Sequence, residues 1–203
     1  MADETTGHNQ AAYDRIAALY AERQAGLGRV FTDVRAAFFA CLPPVGTVAD
    51  LGCGPARDGA ILAEAGHRVA GIDRSAGMLA QAANLLPRRV AQADLRSLPL
   101  ASGSLDGIWC AAALLHVPHD QTMAVLGEMH RVLRRDGRLA LITAAGQGTR
   151  LEEVSYAPGI RRWFFYRDPG QLTEQLGHAA FSVSSVTEEA TSRHWVKILA
   201  HAG

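Results

Sequence analysis

The chain has 203 residues, 48% of them hydrophobic, which suits one globular domain with a full core, and its 20 Lys and Arg balance 20 Asp and Glu. A grip on a long phosphate backbone carries a basic excess, so nucleic acid is not the expected partner. No Arg- or Lys-headed apolar segment opens the sequence and no apolar run reaches ~18 residues, so neither a signal peptide nor a membrane span is expected.

In chain order, "AAYDRIAALYAER" sets Tyr13, Ile16, Ala17 and Tyr20 on one helical face. "VRAAFFACL" predicts a second helix, stopped by Pro43 and Pro44. From there strands and helices alternate. "TVADLGC" reads as a buried strand, "DGAILAEAG" as a helix closed by Gly66, and "HRVAGID" as a strand. "SAGMLAQAANLL" reads as a helix capped by Ser75, "RVAQAD" as a third strand, and "SLDGIWCAAALLHV" as the start of a fourth. "DQTMAVLGEMHRVLRRDG" predicts a helix capped by Asp120, carrying Met123, Leu126, Met129 and Leu133 on one face and ended by Gly137. "RLALITAA" is a fifth strand. The rhythm breaks over 147–168. "DPGQLTEQLGHA" then gives a helix capped by Asp168, and "FSVSSVTEE" and "HWVKILAHA" an antiparallel pair. Such alternation means an α/β fold with a mostly parallel sheet, buried on both faces and therefore built of nearly continuous apolar strands.

"VADLGCGPARDG" (48–59) joins a strand to a helix through two glycines, Gly52 and Gly54, flanking Cys53. In open α/β sheets such a turn faces a nucleotide, because glycines let backbone approach a ligand. Asp73 ends the second strand 19 residues past Gly54, the spacing of a carboxylate that takes ribose hydroxyls. Asp94 ends the third strand, where it can accept an exocyclic adenine amine while Leu95 covers the ring. Asp50 lies within the first strand, badly placed for a pyrophosphate and well placed for a cation. Together these describe an adenosine with a positive or zwitterionic tail, which fits S-adenosyl-L-methionine.

With these motifs the sequence resembles the class I S-adenosylmethionine-dependent methyltransferases, in particular the small-molecule branch. "VADLGCGPARDG" is similar to the glycine-rich first motif, "VAGIDRS" to the acidic second and "AQADLRSLPL" to the adenine-contacting third. "SLDGIWCAAALLHV" is similar to the fourth strand, which opens onto the acceptor, and "MHRVLRRDGRLALI" to the helix and fifth strand that follow. The resemblance is firm over 45–146 and loose over 169–202. It implies a single domain with a Rossmann-like doubly wound sheet of seven strands, parallel except for one C-terminal antiparallel strand. Residues 1–44 would form a helical cap or lid, 45–146 the cofactor core, 147–168 a substrate-side insertion and 169–203 the closing helix and hairpin. Ala56 stands where the pattern often has a third glycine, and the Asn/Asp-Pro-Pro-Tyr motif of amino-group methyltransferases is absent.

The implied cofactor contacts are Asp50, Gly52, Cys53, Gly54, Asp73, Arg74, Met78, Asp94 and Leu95, joined by Tyr13 and Tyr20. Of the two tyrosines one is expected to pack and the other to reach the cofactor. Met78 either touches adenine or belongs to the core. Arg57 either offsets a cofactor carboxylate or faces water. The implied reaction is in-line displacement of the sulfonium methyl by oxygen, nitrogen, carbon or sulfur, in which the protein aligns the partners and excludes water. His116, just past the fourth strand, is the candidate general base, or else a locally bonded histidine. His119 is expected on the surface. "YAPGIRRWFFYRD" (156–168) offers Arg161, Arg162, Trp163 and Tyr166 to an apolar or aromatic acceptor, or simply covers the core. Cys41, Cys53 and Cys110 lack metal-ligand spacing, so no metal and a reduced, cytoplasmic compartment are expected. Two rival readings are a non-catalytic S-adenosylmethionine-binding protein and a nicotinamide-dependent oxidoreductase.

Overall fold

The structure, a computed structural model, describes residues 2–24 and 31–203. Two helices, α1 (Ala2–Gln24) and α2 (Thr32–Ala40), precede the alternating core. The core runs β1 (Thr47–Leu51), α3 (Arg57–Glu64), β2 (Arg68–Asp73), α4 (Ala76–Ala82), β3 (Val90–Gln92), β4 (Leu105–Ala111), α5 (Thr122–Val132) and β5 (Leu133–Ala144). A hairpin of β6 (Thr149–Glu153) and β7 (Arg161–Phe165) follows, then α6 (Pro169–His178), β8 (Phe181–Ala190) and β9 (His194–Ala202). Seven strands form one sheet in the order β3-β2-β1-β4-β5-β9-β8. Strand β9 is antiparallel to both neighbours and the remaining pairs are parallel. The expected doubly wound sheet with one reversed C-terminal strand is therefore what the chain forms. Among the described residues no helix is long and apolar enough to cross a membrane.

Adjacent residues of one strand feed opposite cores. Ala49, Ile108 and Cys110 pack with Val125, Leu126 and Met129 of α5 and Leu172 of α6. Val48, Trp109 and Ile142 pack with Phe38 of α2, Leu62 of α3 and Leu79 of α4. Burial on both faces is why the strands read as apolar runs rather than alternations. The carboxyl ends of β1, β2 and β4 point to the same edge, and the glycine turn, Asp73 and the segment after β4 meet there.

Three expectations are corrected. The helix predicted from Asp120 to Gly137 begins as a 3-10 turn (His119–Gln121), and α5 has no side-chain cap. It ends at Val132, because Leu133 already pairs with Leu105 of β4; Gly137 then lies inside β5, after the left-handed Asp136. Met123 is 41% exposed, while Val125 and Val132 complete the buried face. The stretch 147–168 is not irregular: Arg161–Phe165 pairs antiparallel with Thr149–Glu153. Ser75 and Asp168 do cap α4 and α6, accepting from the backbone N–H of Met78 and Gln171.

Helix α1 closes over the sheet edge as a roof. On one side Asp14 caps α4 from outside, accepting from Ser75 Oγ at 2.6 Å and Gly77 N–H at 2.9 Å. An anion at a helix N-terminus is stabilised by the exposed N–H groups. On the other side the Asn9 amide pairs with the Trp163 backbone, donating to its carbonyl (2.9 Å) and accepting from its N–H (2.7 Å). Ala12, Ile16 and Ala17 bury against Met78, Val154 and Ile160. The approach to α4 requires a glycine: a Cβ on Gly77 would sit 2.9 Å from the Asp14 Cα and carbonyl oxygen. Gly77→Ala is expected to cost about 1–3 kcal/mol through this overpacking. It should also speed amide exchange along α1 while leaving β4 and β5 protected, which hydrogen-exchange mass spectrometry would read.

Candidate active site

A cavity of 660 Å³ opens beneath α1, along the carboxyl edge of the sheet. All eleven residues expected to meet the cofactor line it, and so does His116. Its geometry starts at the glycine turn. Gly52 has φ +67°, and a Cβ there would lie 2.2 Å from the Ala113 Cβ in the segment after β4. Only glycine fits. Gly54 follows at φ +52° and donates its N–H to Asp73 Oδ2 at 2.8 Å. Asp73 Oδ1 accepts from Ser75 N–H at 2.8 Å, so one carboxylate joins the turn to the start of α4. Each oxygen keeps a lone pair for a ligand. Burial pushes the Asp73 carboxyl up, against the backbone donors of Ser75 and Gly54 that pull it down.

Asp50, 3% exposed, accepts from Gly59 N–H at 2.9 Å and borders the cavity. Burial, with the neighbouring Asp58 charge, holds its carboxyl well above the usual range. Asp94 is already saturated. Arg74 Nη1 (2.5 Å) and Arg96 Nη2 (2.8 Å) donate to Oδ2, while Arg96 N (2.9 Å) and Nε (2.8 Å) donate to Oδ1. Burial alone would raise this carboxyl, but the arginines hold it below its ordinary value. An adenine amine would have to displace one of those donors. Ala93, Leu95 and Met78 supply apolar surface beside it.

His116 sits where β4 gives way to a 3-10 turn, just beyond the left-handed Ala112. Its Nδ1 lies 2.8 Å from the Trp163 carbonyl and must donate to it; Nε2 then accepts from the Tyr13 hydroxyl at 2.6 Å. Arg162 Nη1 donates to the same hydroxyl at 2.9 Å. Burial, aided by the Arg162 and Arg193 charges, pushes His116 down to about 3, so the ring is neutral and its lone pair is engaged. Tyr13 is thus the tyrosine with polar partners. Tyr20 packs edge-on against it, with ring centroids 5.9 Å apart.

Of the four expected acceptor residues only Arg162 lines the cavity. Arg161 is exposed, Trp163 contributes its backbone, and Tyr166 bonds Glu152 and Arg193 away from the cavity. Arg57 lines the cavity and donates to the Ala21 carbonyl at 3.0 Å. His119 is exposed, as expected, though Arg167 reaches its Nδ1 at 2.7 Å.

The lining also includes residues the sequence did not single out: Asn9, Gln10, Arg35, Asp58, Thr191 and Trp195. Arg35 pairs with Asp58, which also accepts from Trp109 Nε1 at 3.1 Å. Asp58 stands in the quoted glycine motif and was findable there. Thr191 and Trp195 come from the far end of the chain, and no local pattern links them to the turn. The three cysteines are free thiols, with Cys53 and Cys110 buried.

The sheet has the Rossmann-like methyltransferase fold. Residues 49–141 match the family described as "Methyltransferase domain". The chain is 39% identical over 119 residues to methyltransferase GfsG of Streptomyces halstedii, a match covering 54% of this chain and 41% of that protein. The chain spans less than half the length of the first curated relatives it matches. Among solved structures, the 1,6-didemethyltoxoflavin-N1-methyltransferase of Burkholderia thailandensis, crystallised with S-adenosylhomocysteine, superposes with a TM-score of 0.78 at 22% identity. It covers all of this chain and 90% of its own. The DhpI–SAH complex gives 0.80 at 20% identity over 100% and 99% of the two chains.

The buried Asp50 carboxyl generates a stability prediction. A folded-state value raised above the unfolded one, about 4, means the folded chain binds the proton more tightly. Stability is then lost as pH rises through the interval between the two values. Asp50→Asn keeps an oxygen for the Gly59 N–H. It is expected to melt above the wild type at neutral pH, with the difference vanishing toward about pH 4. Thermal denaturation across that range is the measurement.

Proposed function

We propose that the protein binds S-adenosyl-L-methionine in this cavity and transfers its methyl group to a small-molecule acceptor, leaving S-adenosyl-L-homocysteine. The observation that carries the reading is the convergence of the glycine turn, Asp50, Asp73, Asp94 and His116 on one roofed cavity. Asp73 takes the ribose hydroxyls through its spare lone pairs. Adenine lies against Leu95, Ala93 and Met78. The sulfonium passes over Gly52, where Asp50 and Asp73 supply negative potential, and Arg57 meets the cofactor carboxylate. The roof of α1 excludes water, and alignment of acceptor and methyl carbon is the main contribution to rate. The solved neighbours with bound S-adenosylhomocysteine and the curated methyltransferases support this reading. A small, roofed cavity suits a metabolite-sized acceptor. The free buried thiols fit a reduced, cytoplasmic setting.

Calorimetry tests the cofactor. Wild type should bind both S-adenosylmethionine and S-adenosylhomocysteine, and Asp73→Ala should weaken both by at least about tenfold, since it removes the ribose acceptor and unties Gly54. Comparable binding by the variant removes the ribose assignment.

Charge gives a second expectation. Asp50 and Asp73 both carry raised carboxyls, so acid neutralises them first. Affinity for the cationic S-adenosylmethionine should therefore fall faster on acidification than affinity for neutral-sulfur S-adenosylhomocysteine. A constant ratio from neutral pH to about 4 would remove these carboxylates from sulfonium binding.

A further inference from the structure

We propose that the methyl acceptor is a carboxylate and the product a methyl ester, with Arg162 as the residue that seats the acceptor. This deepens the methyltransferase reading and rests on it.

The first observation is an uncompensated cation in the cavity wall. Arg162 lines the cavity, and among the described residues its guanidinium makes no ion pair. Its single hydrogen bond goes to Tyr13 Oη at 2.9 Å, and its Nε is buried without a partner. The group lies 5.1 Å from the Tyr13 ring centre and 5.4 Å from that of Phe164, so its plane is held between aromatic walls. Of the other arginines lining the cavity, Arg35 pairs with Asp58, Arg74 pairs with Asp94, and Arg57 donates to the Ala21 carbonyl at the end assigned above to the cofactor carboxylate. Buried charges are normally paired, and an arginine fork matches a carboxylate in two parallel hydrogen bonds. The missing partner is an anion that arrives with the ligand.

The second observation is the state of His116. Nδ1 donates to the Trp163 carbonyl and Nε2 accepts from Tyr13, so neither nitrogen is free to take a proton from an acceptor. The neutral ring in this cationic surrounding is a weak base. A phenol, alcohol or amine acceptor has a proton to lose, whereas a carboxylate has none at neutral pH. His116 instead orients Tyr13, which completes the seat around Arg162. The step balances without a base: a carboxylate oxygen forms its bond to the methyl carbon, the carbon–sulfur bond breaks, and its electron pair stays on sulfur. An anion and a sulfonium cation give a neutral ester and a neutral thioether, with no proton released. Tyr13, Tyr156 and Val117 leave the neighbouring wall largely apolar, room for the acid's hydrocarbon part.

The test uses the whole chain loaded with S-adenosylhomocysteine. Benzoate, phenylacetate, butyrate and succinate are titrated, each against its own amide. At least one acid is expected to bind about tenfold tighter than its amide, a margin typical of a charge-assisted fork. Arg162→Met should abolish that margin, Arg162→Lys should keep part of it, and both should bind S-adenosylhomocysteine as wild type does. Arg57→Met should do the reverse. With S-adenosylmethionine and the preferred acid, labelled methyl should be recovered as methanol after mild alkali. Three results overturn the proposal: no acid preferred over its amide, Arg162→Met weakening S-adenosylhomocysteine as much as the acid, or no alkali-labile methyl formed. Failure of wild type to bind S-adenosylhomocysteine at all would instead overturn the methyltransferase reading.

Discussion

The carboxylate of Asp73 is asked to satisfy two backbone donors from different parts of the chain, Gly54 after β1 and Ser75 before α4. Without it the turn after β1 would lose its register against β2, and two buried N–H groups would stand unpaired, each costing about 1–3 kcal/mol. The turn in turn presses Gly52 against Ala113, so the segment after β4 takes its position from the same knot. Asp14 of α1 then docks on Ser75 and Gly77, immediately beside it. The first, second and fourth strands and the roof are thus referenced to a few atoms at one sheet edge. Strain gathers at that edge too. Ala56 and Ala112 hold left-handed conformations at φ +61° and +55° without being glycines, each at a cost of about 1–2 kcal/mol.

The cavity is electrically lopsided. One end crowds Asp50 and Asp73, with burial opposing ionisation of both. Its opposite end carries Arg162, whose guanidinium makes no ion pair among the described residues. Neither end is what stability alone would select, because an uncompensated buried charge is costly. The arrangement becomes sensible once the missing charges are those of the ligands: a cation over the carboxylates and an anion on the guanidinium. With the two ligands proposed above in place, each half of the cavity would meet its own counter-charge, and the ligands would face each other.

The core of this fold was legible because its signals are local. Strands buried on both faces leave apolar runs, Gly52 and Gly54 mark a turn with positive φ in which Gly52 has no room for a side chain, and Ser75 and Asp168 cap through bonds spanning a few residues. The eleven residues expected at the cofactor gather on one cavity, and eight of them lie in three short strand-end motifs. What was missed depends on pairing at a distance. The hairpin of β6 and β7 is rich in Arg, Glu and aromatics, and it is a sheet only because its two halves meet across a turn. Gly137 looked like a helix stop, yet Leu105 had already captured Leu133. Trp163 was expected to offer its ring but offers its backbone, because Asn9 pairs with it from 154 residues away. His116 lines the cavity, and its bonds to Tyr13 and the Trp163 carbonyl agree with the second of its two expected roles, a locally bonded histidine.

Helix α1 supplies Asn9, Gln10, Tyr13 and Tyr20 to the cavity and is fastened on both sides of it, to α4 through Asp14 and to β7 through Asn9. The wall of the chamber that these four residues form therefore exists only while this helix is docked. Motions of roofs over sites run on microsecond to millisecond scales. Under the proposed function, Asp14 and Gly77, which fasten α1 to α4 rather than face the ligand, would set how often the chamber opens.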